Sequence, residues 1–133
     1  MLDETRKQLL EAMGFSRKAI SLLDQGLNMG VMDNPTVQAQ HQGTCGDILM
    51  LSLRIDDDQI KDALYEYIGC AGLQACASAM TELIKGHTVM EAGKLEINDI
   101  IHYLESIPQQ KYECAEIAQN TLRLALERYS KAN

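Results

Sequence analysis

Apolar residues recur at helical spacing over the first 27 positions, at Leu9, Leu10, Met13, Ala19, Ile20, Leu22, Leu23 and Leu27. Gly14 falls between two stretches of that pattern, so one bent helix or two short ones are predicted. Turn formers then crowd together as Gly26, Asn28, Gly30, Asn34 and Pro35, which ends the helical region and predicts a loop. Residues 36–42, 48–55 and 59–68 read as strands, with Asp56, Asp57 and Asp58 supplying a polar hairpin turn between the last two. A small antiparallel sheet is the expected product.

After Gly69 the period changes. Leu73, Ala77, Met80 and Ile84 mark a helical face that runs to Gly86, a C-terminal stop. Ile97, Ile100, Ile101 and Leu104 predict a short helix that ends before Pro108, because the residue preceding a proline disfavours the helical conformation. A long final helix should begin near Tyr112, its apolar stripe formed by Ala115, Ile117, Ala118, Leu122, Leu124, Ala125, Leu126 and Tyr129. The predicted class is α+β: a three-stranded antiparallel sheet packed against several helices, with a long C-terminal helix.

With 133 residues the chain suits one ordinary domain spanning positions 1–133, able to bury a core without covalent staples. No signal peptide opens it, and its apolar runs are far shorter than the roughly 20 residues of a membrane-spanning helix. These features predict a cytoplasmic protein with no membrane association. In a reducing compartment its four cysteines are expected as thiols or metal ligands and not as structural bridges. A formal charge of -7 with no basic cluster lacks the electrostatic footprint of a nucleic-acid binder.

Three of the cysteines stand where regular elements should begin or end: Cys45 in Thr44-Cys45-Gly46-Asp47, Cys70 in Gly69-Cys70-Ala71-Gly72, and Cys114 in Lys111-Tyr112-Glu113-Cys114. Paired Cys-x-x-Cys turns are missing, so a metal centre here must form by tertiary convergence of distant thiolates. Gly46 permits a tight turn beside Cys45, and Asp47 brings a carboxylate to the same point. Cys70 and Cys114 each open a predicted helix, where free N–H groups and the positive end of the dipole should favour both thiolates. Cys76 lies six residues beyond Cys70, about 240° around an ideal helix, and is expected to fill the core. The three consecutive aspartates are expected as a solvated turn, since the spacing of a calcium loop is absent.

Together, Cys45-Gly46-Asp47, Gly69-Cys70, the run Thr81-Glu82-Leu83-Ile84-Lys85-Gly86-His87-Thr88 and Lys111-Tyr112-Glu113-Cys114 resemble the iron-sulfur cluster assembly scaffolds of the IscU type. That family corresponds to the N-terminal domain of NifU and includes the SufU branch, and the resemblance covers residues from about Phe15 to Tyr129. It implies a scaffold, not an enzyme. Such a protein binds iron, accepts sulfur from a cysteine desulfurase, holds a transient [2Fe-2S] cluster and passes it to apo iron-sulfur proteins or carrier proteins. Cys45, Cys70 and Cys114 fall on the family's ligand cysteines, Asp47 on the aspartate of its Cys-Gly-Asp motif, and Lys111 on the lysine ahead of the last cysteine.

Two departures accompany the resemblance. The family commonly has histidine directly before the third cysteine, where this chain has Glu113, so either Asp47 or Glu113 is the expected fourth ligand. Residues 1–14 read as a helical extension ahead of the usual start. The resting site would hold zinc, a cluster or neither, and a homodimer sharing one cluster remains open. The alternative functions are a zinc-dependent sulfurtransferase taking persulfide sulfur on Cys114, and a zinc-stabilised interaction module.

Overall fold

The computed structural model describes residues 2–132. Its elements are α1 (Glu4–Met13), α2 (Arg17–Gln25), β1 (Val37–Gln42), β2 (Ile48–Asp56), β3 (Gln59–Ile68), α3 (Ala71–Ile84), α4 (Val89–Ala92), α5 (Ile97–Leu104) and α6 (Tyr112–Ala132). A single turn of 3-10 helix, Gln109–Lys111, leads into α6. The α+β expectation and all three strands agree with this architecture.

The N-terminal helical pattern resolves into two helices, for a local reason. The Gly14 N–H closes α1 onto the carbonyls of Glu11 and Leu10, and Ser16 then caps α2 by accepting from the Ala19 N–H at 2.9 Å. The Ser16 hydroxyl also donates to the Leu104 carbonyl, which ties this junction to the end of α5. The one-turn helix α4 is absent from the sequence prediction because four residues carry too little periodicity to register. Its signal was a capping box: Thr88 accepts from the Glu91 N–H at 3.1 Å, and the Glu91 carboxylate accepts from the Thr88 N–H at 2.8 Å.

The sheet has the order β1-β2-β3 and is antiparallel throughout. Leu51 faces Ala39 on one side and Tyr65 on the other, and these three are among the buried residues of the covered face. Asp57 and Asp58 both adopt left-handed φ angles, 54° and 58°, as the mirror-image hairpin turn between right-twisted strands requires. The three aspartates therefore do form the polar turn, with Asp56 ending β2.

Helix α6 lies across β1 and β2, α3 packs against β3, and the two helices pack on each other. Both helices bring small buried residues to this part of the core: Ala75, Cys76, Ala77 and Ala79 of α3 and Ala115, Ala118 and Ala125 of α6. Two polar anchors, one buried and one half-buried, hold α3 in place. The Tyr65 hydroxyl lies 2.7 Å from the Ser78 hydroxyl, which donates to the Leu27 carbonyl, and Tyr67 donates to Gln74 at 2.9 Å. No helix among the described residues is long and apolar enough to cross a membrane.

Candidate metal centre

The register of the sheet places the first donor. Ile48 pairs with Ile68, so the residues just before β2 and just after β3, Asp47 and Gly69, meet at the same end of the sheet. Their approach depends on the missing side chain of Gly69: a Cβ there would stand 2.8 Å from both Cγ and Oδ2 of Asp47. Cys70 follows as the N-cap residue of α3, and the packing of α6 on α3 brings Cys114 to it from 44 positions away. The two sulfurs are 3.8 Å apart. One donor atom each from Asp47, Cys70 and Cys114 all lie within 4.8 Å of one another.

The two thiols divide their charge unequally. Cys70 is pulled down to about 5, first because Cys114 donates its proton toward the Cys70 sulfur. The Leu73 and Gly72 amides at the start of α3 and the Lys111 charge act in the same direction, without forming a capping hydrogen bond. Cys114 moves the other way, raised chiefly because it is the donor in that pair and further by burial. The expectation that helix starts would favour both thiolates is therefore corrected: one proton is shared by two adjacent sulfurs, so the negative charge settles on one of them. A metal ion that displaces this proton gains two soft sulfur donors and one hard oxygen.

The other sequence-predicted residues fall outside this group. Cys45 is exposed on the turn after β1, a loop closed by hydrogen bonds from the Gly46 N–H to the Gly43 carbonyl at 3.1 Å and from the Gly43 N–H to the Asp47 carbonyl at 2.8 Å. Glu113 is exposed on α6, because adjacent helical positions are about 100° apart and Cys114 is the one that faces inward. Cys114, named as acceptor in the sulfur-transfer alternative, is 2% exposed, whereas Cys70 is half-buried. Cys76 is fully buried, and burial pushes its thiol up to about 12, as its expected core role requires.

Sequence reading quoted Gly69 and Gly72 beside Cys70 but gave neither a part in the centre. Gly72 lets the aliphatic stem of Lys111 lie against the first turn of α3. The signal was present as Gly69-Cys70-Ala71-Gly72, a cysteine bracketed by residues that admit close approach. What would approach them could not be read without the fold.

The family described as NifU-like N terminal domain matches residues 15–133. This chain belongs to that family. Among its relatives, the iron-sulfur cluster assembly protein IscU of Plasmodium falciparum is 41% identical over 88 residues, which cover 66% of this chain and 54% of that protein. The chain thus spans about half the length of that relative. The iron-sulfur cluster assembly scaffold protein IscU of Haemophilus influenzae is 30% identical over 125 residues, covering 88% of this chain and 96% of that one. A crystal structure of the N-terminal part of a NifU-like protein from Brucella abortus superposes with a TM-score of 0.71 over 89% of this chain and 95% of that one. At 16% identity it attests the NifU-like fold alone. The match of the family begins at Phe15, after the end of α1.

Proposed function

We propose that this chain is an iron-sulfur cluster assembly scaffold, a single domain in which α1 is an added N-terminal element. The observation that carries the reading is the Asp47, Cys70 and Cys114 group, whose donors lie within 4.8 Å in a chain of the NifU-like N-terminal family. Iron and sulfide are the cargo. Two thiolates supply soft ligands for iron, and Asp47 supplies an oxygen donor that exchanges more readily, which suits a cluster that has to leave. Cys45, carried on its exposed turn two residues from Asp47, completes the ligand set as a nascent [2Fe-2S] cluster grows. Asp47 is the fourth ligand in this reading, and exposed Glu113 is not required.

In this reading sulfur comes from a cysteine desulfurase, and the finished cluster passes to apo iron-sulfur proteins or carrier proteins in a reducing cytoplasm. Zinc, which accepts the same donors, occupies the site at rest. Anaerobic reconstitution with iron, cysteine and a desulfurase tests the proposal, read by iron and sulfide content and by visible absorption. A labile cluster in the wild type that is lost in Cys45→Ala, Cys70→Ala and Cys114→Ala is the expected result. A homodimer sharing one cluster would give about one iron per chain, and a monomer holding its own about two. Tightly held zinc with no cluster under any of these conditions would overturn the scaffold reading.

A further inference from the structure

Lys111 occupies an unusual place between the two sulfur-bearing elements. It closes the 3-10 turn, its N–H donating to the Pro108 carbonyl at 2.9 Å, and α6 starts at the next residue. Its side chain does not extend freely into solvent. A Cβ built on Gly72 would meet Cβ, Cγ and Cδ of Lys111, each at 3.1 Å, so the first three carbons of the stem fill the notch that the glycine leaves. Gly72 is in the first turn of α3, two residues beyond Cys70, and Lys111 lies three residues before Cys114. The contact thus joins two regular elements at their sulfur-bearing ends, where little chain intervenes to absorb a shift.

We infer that Lys111 is a positioning residue, its aliphatic stem seated on Gly72 so as to hold Cys114 at its present distance from Cys70. The inference rests on the reading of these two cysteines as a ligand pair and adds to it the device that sets their spacing. Side chains such as lysine commonly pack their stems while the ammonium stays wet, so stem and charge are separable functions. A test must therefore keep one and remove the other.

The equilibrium of the metal-free protein with a glutathione redox buffer reads the spacing directly. Cys70 attacks glutathione disulfide and expels one glutathione thiolate, and Cys114 then displaces the second glutathione and closes the Cys70–Cys114 bond. Two protein sulfurs are oxidised and one glutathione disulfide is reduced to two glutathione thiolates; the one proton that Cys70 and Cys114 share passes to one of these, and the other takes its proton from solvent. Alkylation and peptide mass mapping give the fraction bridged between these two cysteines, and hence their effective concentration. Lys111→Ala, which removes the stem, should lower that value by about tenfold, whereas Lys111→Met, which keeps a stem without the charge, should stay within about twofold of wild type. Gly72→Val, which blocks the notch, should resemble Lys111→Ala. If the valine variant does not fold, the two Lys111 variants decide the matter alone.

Equal values for Lys111→Ala and wild type would overturn the inference. Equal losses in Lys111→Ala and Lys111→Met would also overturn it, assigning the effect to charge. The assay contains no iron, sulfide or desulfurase, so failure to assemble a cluster would leave this result standing, and a flat result here would leave the scaffold reading standing.

Discussion

The Cys70 and Cys114 sulfurs stand 3.8 Å apart although 44 positions separate them in the chain. That proximity follows from the packing of α6 on α3, at the end of the sheet that also carries Asp47. It also makes the two thiols a single titrating unit.

The pair should impose a pH optimum on the stability of the metal-free protein. Cys70 has a folded value near 5, below the unfolded value of about 8.5, so its contribution is present above the unfolded value and lost as pH falls toward 5. Cys114 is raised, so its contribution is present below the unfolded value and lost as pH climbs above it. Stability attributable to the pair should rise from pH 5 to about 8.5 and decline beyond. Urea denaturation across this range, with Cys114→Ala subtracted, measures it; a difference that is flat with pH would contradict the shared proton.

Native-state alkylation should separate the four cysteines into two classes. Cys45 and Cys70 are accessible and should label quickly, while Cys114 at 2% exposure and fully buried Cys76 should be protected until the protein opens. Mass mapping after short exposure to iodoacetamide at neutral pH checks this. Cys76→Ser would place a hydroxyl in the hydrophobic core and should cost about 1–3 kcal/mol of stability, with cluster content per folded chain unchanged.

Gly69→Ala should damage the centre with little effect on the fold. The new Cβ would stand 2.8 Å from the Asp47 carboxylate and 3.0 Å from a Leu73 methyl group, so Asp47 must move aside. Because displaced groups around a metal typically weaken binding by about 10–100-fold, zinc or iron affinity should fall by that order. Competition with a chromophoric chelator measures the loss, and circular dichroism confirms that the sheet survives.

Removing residues 1–13 should leave the centre intact. Helix α1 contains no fully buried residue, and its attachment is limited: Leu2 and Leu10 pack half-buried against the core, the Leu2 N–H donates to Asp24 at 2.7 Å, and Lys7 lies 3.7 Å from the Asp24 carboxylate. Solvent screens the pair with Lys7, and the two leucines are only half-buried, so the melting temperature should drop by only a few degrees. Reconstituted iron and sulfide per chain should match the full chain; a deletion that abolishes cluster assembly would show α1 to be part of the working domain.

Much of this molecule was decided locally and was therefore legible in the chain itself. The alternation over β2 and β3, the aspartate turn between them, and the apolar stripes of α3, α5 and α6 depend on neighbours a few residues away, and each element appears where its pattern placed it. The motifs around Cys45, Cys70 and Cys114 likewise carried the resemblance to the family that the match over residues 15–133 shows. Short α4 escaped because one helical turn has no period to detect, although its Thr88–Glu91 cap was written in the sequence.

The charge state and composition of the centre belonged to the tertiary structure. Helix starts alone predicted two thiolates; only the 3.8 Å approach of the sulfurs makes one of them the proton donor to the other. Motifs and resemblance grouped Cys45 and Glu113 with the donors; the fold carries Cys45 on an exposed turn two residues from Asp47 and Glu113 on the outward face of α6, while Asp47, Cys70 and Cys114 meet. Gly69 and Gly72 acquired meaning only when Asp47 and Lys111 came to rest against them. Distances between residues remote in sequence arise from how helices and sheet pack, and through-space electrostatics depends on those distances, so neither could be read before the chain was folded.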